Sequence, residues 1–208
     1  MNGVALDSVE ATQLGCERGG RLVFRDMDFR VARGEVLSLE GPNGAGKTSM
    51  LRLVAGLLPL TFGRVSFRHG AAEISDPEER GRFIGWFGHA DGLKAQMTAA
   101  ENLSFAASLY ASDGDVAQTL ARVSLTRAAH LPGQYLSAGQ RRRLGLARLI
   151  LSKRPLWLMD EPIAALDSAG RQLAIELIRA HMAAGGMVIA ATHDDIGIPG
   201  LRLTMGAS

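Results

Sequence analysis

Eight residues restrict what this chain can become more than any others: Gly41-Pro42-Asn43-Gly44-Ala45-Gly46-Lys47-Thr48, a match to the spacing GxxxxGK(S/T). The apolar run Val36-Leu37-Ser38-Leu39 leads into them, and Met50, Leu51, Leu53, Val54 and Leu57 follow at helical spacing. That order predicts strand, loop and helix. In such a context the glycines let successive backbone N–H groups curl around phosphate oxygens, and the following helix aims the positive end of its dipole at them. Lys47 adds a point charge, and Thr48 offers a hydroxyl suited to Mg²⁺, a hard cation that prefers oxygen. The bare pattern also arises as a plain glycine-rich turn. Alone, the loop suits a kinase, a GTPase or a helicase equally well.

The rest of the chain supplies the context. Residues 4–31 carry short β-prone pieces such as Leu22-Val23-Phe24, punctuated by Gly19-Gly20, and read as an antiparallel sheet. A strand is expected at 83–87, then helices at 99–111 and 116–123 within an inserted helical lobe. Further on, the pattern predicts a helix over 138–152, the strand Leu156-Trp157-Leu158-Met159, a helix over 168–184 and a strand over 187–191. Strand and helix alternate, as a parallel sheet requires. A length of 208 residues suits one well-cored domain with a small insertion.

Composition excludes some classes of partner. The 23 basic and 21 acidic side chains leave a net charge of +2, a small excess rather than a polybasic surface, so nucleic acid is not an expected partner. The densest basic cluster, Arg141-Arg142-Arg143, reads as the solvated face of a helix. Cys16 is the single cysteine, so no intrachain disulfide can form. No run approaches the roughly 18 apolar residues of a membrane span, and the N-terminus lacks a basic segment followed by an apolar core. The expectation is a cytosolic chain, attached if at all to a membrane protein.

Two further segments complete a chemistry. The strand Leu158-Met159-Asp160-Glu161 ends in adjacent carboxylates, and in a parallel sheet the carboxyl ends of strands face the ligand crevice. Asp160 there would hold hydrated Mg²⁺. Glu161 would orient or deprotonate an attacking water, a task for a carboxylate not consumed by metal ligation. Leu136-Ser137-Ala138-Gly139-Gln140 opens a helix, with Ser137 placed as its N-cap and backbone amides turned toward an anion. Plain capping is the alternative for Ser137, as a solvated strand end is for the acidic pair.

In this order the motifs resemble the nucleotide-binding domain of ATP-binding cassette (ABC) proteins, over nearly the whole chain. Residues 136–140 are similar to the family signature, with Ala138 where a glycine is usual. Asp160-Glu161 resembles Walker B, Ala165-Leu166-Asp167 the D-loop, and His193 the switch histidine. The resemblance implies an α/β P-loop NTPase fold: a RecA-like parallel core, an N-terminal antiparallel β subdomain, and a helical subdomain inserted at about residues 89–137 of a single domain spanning 1–208. It implies ATP and Mg²⁺ as cofactors and a homodimer formed head to tail. Each nucleotide would then lie between Gly41, Pro42, Asn43, Gly44, Ala45, Gly46, Lys47 and Thr48 of one copy and Ser137, Gly139 and Gln140 of the other. Asp167 would report across that interface, and Lys47, Glu161 and His193 would be the catalytic side chains.

Two positions depart from the family pattern. Arg18 stands where an aromatic ring usually stacks on adenine; a guanidinium can stack there too, or be a hydrated arginine in a turn. His89 stands where a metal-contacting glutamine is usual. Neutral imidazole is a poor Mg²⁺ ligand, so His89 would act through a metal-bound water or as a link to a partner. The segments around Cys16-Glu17-Arg18, Gly88-His89 and Leu136-Ser137-Ala138-Gly139-Gln140 resemble the ATP-binding subunits of cytochrome c maturation, the haem exporter systems. That implies an integral membrane partner of the CcmB type, at the cytoplasmic face of a bacterial inner membrane. A soluble cassette ATPase acting on ribosomes or DNA, or a transporter ATPase for another substrate, stays open as the alternative.

Overall fold

The computed structural model describes residues 5–88 and 92–206. These form two compact units, residues up to 86 with 154–162 and 178 onward, and residues 87–153 with 163–177.

The first unit is built on two sheets. A four-stranded sheet runs in the order β2 (Arg21–Ala32), β1 (Ser8–Arg18), β4 (Phe62–His69), β5 (Ala72–Ile74), and every pairing in it is antiparallel. Gly19 and Gly20, both at positive φ, close the first hairpin as a two-residue turn that an L side chain would strain. The second sheet runs β6 (Ile84–Phe87), β7 (Leu156–Asp160), β8 (Met187–Ala191), β3 (Val36–Glu40), β9 (Leu201–Thr204). β7, β8, β3 and β9 pair in parallel. β7 and β8 are buried along their whole length, which is why both read as unbroken apolar runs rather than as alternation.

Helix α1 (Lys47–Val54) follows the glycine-rich loop and buries Met50, Leu51, Leu53 and Val54 in a core shared with Leu37, Leu39, Leu158 and Ile189. Sequence periodicity predicts this helix as far as Leu57, but it stops at Val54, and Gly56 lies at positive φ. The stop has a partner. Arg80, at the end of α2 (Pro77–Arg80), is wholly buried and donates through Nη1 to the carbonyls of Leu53 at 3.5 Å and Val54 at 3.2 Å. A cation thus meets the orphan carbonyls of the helix end.

The hairpin β4–β5 and the strand β9 have no counterpart among the sequence expectations. β9 is largely exposed, while β4 alternates Arg64, Ser66 and Arg68 with apolar side chains, a period-two strand signal that the expectations passed over.

The second unit is helical. α3 (Ala99–Leu109) opens on a capping box, Thr98 and Glu101 each bonding the other's backbone amide. α4 (Val116–Arg122) is capped by Asp115, and both helices pack on α5 (Ala138–Ser152). The buried amide of Asn102 bonds the carbonyls of Lys94, Met97 and Thr98 and the amide of Lys94, which orders the approach to α3. α6 (Ser168–Ala183) follows Asp167. No helix among the described residues is long and apolar enough to cross a membrane.

Candidate nucleotide site

In the first unit, the carboxyl ends of β3, β7 and β8 deliver the phosphate-loop, acidic and histidine segments to one edge of the sheet. Close packing fixes the loop at both ends. A Cβ on Gly41, at φ 146°, would lie 2.1 Å from the Met205 carbonyl oxygen. One on Gly46, at φ 94°, would lie 2.7 Å from Val23 and 2.8 Å from Phe24. Gly46 is also the N-cap of α1 and brings no side chain to the helix's first amides, nor does the first turn carry an acidic residue. An anion is the natural complement to such an end.

Lys47 is buried, and its ammonium donates to the carbonyls of Gly41 at 2.6 Å and Pro42 at 3.1 Å. The charge therefore sits over the loop it closes, held by neutral acceptors that leave its positive charge uncompensated at that point. The Thr48 hydroxyl donates to the Asp160 carboxylate, 3.0 Å from one oxygen and 3.2 Å from the other. Hydroxyl and carboxylate together make an all-oxygen donor set. Such a set fits Mg²⁺, which takes one or two protein oxygens and completes its shell with phosphate and water. No cluster of three or more metal-ligating side chains occurs among the described residues, so the donor set does not suit a metal caged by protein alone.

Glu161 leaves the end of β7 at φ 51°, a left-handed conformation that few side chains adopt, while its amide donates 2.8 Å to the Ala191 carbonyl. Glu161 Oε2 lies 2.8 Å from His193 Nδ1, and His193 Nε2 lies 3.8 Å from Asp194. The hydrogen bond and charge of Glu161, then the charge of Asp194, raise the His193 pKa above its ordinary value of about 6.5. The imidazolium–carboxylate pair is thus fully formed below that ordinary value and lost as pH rises through the raised one. In Glu161→Gln the His193 midpoint, followed by proton NMR of the imidazole ring, is expected to fall. An unmoved midpoint would contradict the pairing.

Sequence reasoning missed Thr192. Its hydroxyl donates to the Asp194 carbonyl at 2.6 Å and accepts from the Asp194 amide at 3.1 Å, and its own amide bonds the Leu39 carbonyl at 3.2 Å. It thereby ties the histidine turn to the strand that feeds the phosphate loop. A threonine directly after an apolar strand is the signal for such a turn.

Arg18 ends β1 with an exposed side chain. His89 lies outside the described residues.

The second unit carries the other motif. Ser137 is the N-cap of α5: its hydroxyl accepts the Gln140 amide at 3.2 Å, and Gln140 Oε1 accepts the Ser137 amide at 2.8 Å. This capping box engages both side chains but leaves the hydroxyl proton of Ser137 available to an anion. A Cβ on Gly139 would find only the Ala165 carbonyl oxygen within 4 Å, at 3.8 Å, so the helix end is open there. Asp167 accepts from the Gly170 amide at 2.8 Å and from Arg143 at 2.8 Å, and these two contacts, in that order, lower its pKa.

The arginine run is not the solvated face expected of it. Arg142 is buried, Arg143 pairs with Asp167, and Arg141 donates 2.6 Å to the Leu136 carbonyl. Three consecutive helical residues point about 100° apart and cannot share one face.

Comparison with known proteins agrees with this geometry. The family model described as ABC transporter matches residues 24–164. The cytochrome c biogenesis ATP-binding export protein CcmA of Nitrobacter hamburgensis is 46% identical over 200 residues, covering 94% of this chain and 96% of the relative. Its namesake from Bradyrhizobium diazoefficiens is 48% identical over 192 residues, covering 92% and 94%. Among solved structures, a dimeric post-hydrolysis state of an ATP-binding cassette bound to ADP and Pi superposes with a TM-score of 0.76 at 25% identity, covering 89% of this chain and 88% of that one. The chain belongs to the ABC transporter family and, within it, to the group of cytochrome c biogenesis ATP-binding subunits.

Proposed function

We propose that this chain is the ATP-hydrolysing subunit of a membrane ABC complex that energises haem handling in the maturation of c-type cytochromes. One observation carries the enzymatic part: Lys47, Thr48, Asp160, Glu161 and His193 converge in a single unit at the carboxyl ends of β3, β7 and β8. The near-full-length likeness to proteins named for cytochrome c biogenesis supports the biological part.

The proposed chemistry is attack of water on the γ-phosphorus of ATP, with ADP leaving. Backbone amides of the loop 41–48, other than Pro42, which has no N–H, cradle the phosphates, and Lys47 trades its carbonyl partners for phosphate oxygens. Thr48 and Asp160 would hold Mg²⁺, which when bound supplies neutralisation of phosphate charge. Glu161 accepts the proton of the attacking water, and His193 fixes the orientation of that carboxylate and bonds the γ-phosphate. Ser137 and Gly139 of a second copy complete each site, with Gln140 holding Ser137 in place and Asp167 at the interface. His89 would bond a metal-bound water or link the site to the membrane partner.

Arg18 would stack on adenine. Its replacement by alanine is expected to raise the ATP dissociation constant about two- to fivefold, the worth of an exposed cation–π contact, and calorimetry giving unchanged binding would remove that role.

The partner would be an integral subunit of the CcmB type, with this chain held at the cytoplasmic face of the bacterial inner membrane. Affinity purification from detergent-solubilised membranes tests this. Recovery of a small integral subunit that stimulates ATP turnover is the expected result. Recovery with ribosomes or DNA would favour a soluble cassette ATPase instead.

A further inference from the structure

The three arginines after the signature each hold a different piece of chain, and the middle one holds Phe87 and Gly88. Arg142 is 6% exposed. Its guanidinium lies 4.0 Å over the centre of the Phe87 ring and donates 2.7 Å to the Gly88 carbonyl. The helix itself presses on the same ring, since a Cβ on Gly145, one turn further along α5, would sit 2.8 Å from Phe87. Helix α5 and residues 87–88, all within the second unit, are therefore held together by a stacked cation, a directed hydrogen bond and a glycine contact.

Packing alone does not account for an arginine here. Burying a guanidinium costs free energy that an apolar side chain of similar volume would not, and methionine would cover Phe87 as well. What arginine adds is direction: a planar group that stacks on a ring while its N–H reaches a carbonyl at a fixed angle. The two ends of this joint also differ in kind. One is five residues after Ser137, on the helix whose N-terminus is proposed to meet a nucleotide. The other is the backbone at Gly88, where β6 ends.

We infer that Arg142 is a positioning residue for ATP hydrolysis, a rigid joint that fixes the signature helix α5 against Phe87 and Gly88 of the same unit. The inference rests on the ATPase reading above. Arg142 touches no reacting atom in this scheme; it sets where Ser137 and Gly139 stand when a second copy closes on the nucleotide. Misplacement of a positioning element lowers turnover while leaving the binding of ATP to the phosphate loop intact.

The test is steady-state ATP hydrolysis by the full-length chain, with thermal unfolding of each variant alongside. Arg142→Met is expected to lower kcat about ten- to a hundredfold with KM for ATP unchanged. Arg142→Lys, which keeps the charge but not the planar stack, is expected to recover only part of that loss. Gly145→Ala attacks the joint from its other side and is expected to reproduce the kcat-selective loss. Wild-type kcat in a folded Arg142→Met, or equal losses in kcat, ATP affinity and Tm, overturns the joint. If Arg142→Met does not fold, Arg142→Lys decides: full kcat in it overturns the proposal, and a kcat-selective loss supports it. A wild-type chain without turnover would instead defeat the ATPase reading itself.

Discussion

Replacing Glu161 by glutamine is expected to slow ATP hydrolysis about a hundred- to ten-thousandfold, the usual worth of a positioned general base, while leaving ATP binding intact. The substitution is nearly isosteric, so the unusual φ of 51° at this residue and the amide bond to Ala191 are kept. It removes the ability to accept a proton, together with the negative charge that pairs with His193. Asp160 cannot take over, because its carboxylate is engaged by Thr48 and stands on the strand before the turn. Single-turnover hydrolysis with radiolabelled ATP, beside a nucleotide-binding assay, separates the two effects. A variant that hydrolyses at the wild-type rate would displace Glu161 from its role.

The loss expected at Lys47 is of the opposite kind. Lys47→Ala removes a buried cation whose partners in this structure are two carbonyls of its own loop. Phosphate oxygens are far stronger acceptors for an ammonium than peptide carbonyls, and exchanging one for the other is where the lysine contributes. Truncating a buried, hydrogen-bonded charge costs about 2–4 kcal/mol, or roughly thirty- to several-hundredfold in the ATP dissociation constant. Hydrolysis should fall with it, and addition of excess ATP should restore part of the rate. Full-strength binding by Lys47→Ala in calorimetry would place the phosphates elsewhere.

These two sites were legible in the sequence for a physical reason: their chemistry is local. Residues 41–48 need glycines and a lysine at fixed spacing, and Asp160-Glu161 needs only to end an apolar strand. β7 and β8 are buried along both faces, so their unbroken apolar runs announce a parallel core. Features defined by distant partners were harder to read. Arg80 meets the end of α1 some 26 residues back in the chain, and Arg142 meets Gly88 across 54 residues. Nothing in the local pattern of either arginine distinguishes it from a solvated one. The β4–β5 hairpin had a local signal, the alternation of Arg64, Ser66 and Arg68 with apolar residues; what the structure adds is that its arginines pair with Glu73 across the strands. Thr192 had a signal, its place after an apolar strand, but its function depends on Leu39, which only the sheet brings beside it.

In the proposed mechanism each site is completed by a second copy. Ser137 and Gly139 open the N-terminus of α5 in one unit, and Lys47, Thr48 and Glu161 line the edge of a sheet in the other. Sedimentation velocity of the Glu161→Gln chain with and without Mg²⁺ and ATP measures the consequence directly. The expected result is a monomer without nucleotide and a dimer holding two ATP molecules with it. A chain that binds ATP fully and yet sediments as a monomer at every concentration would contradict the shared site.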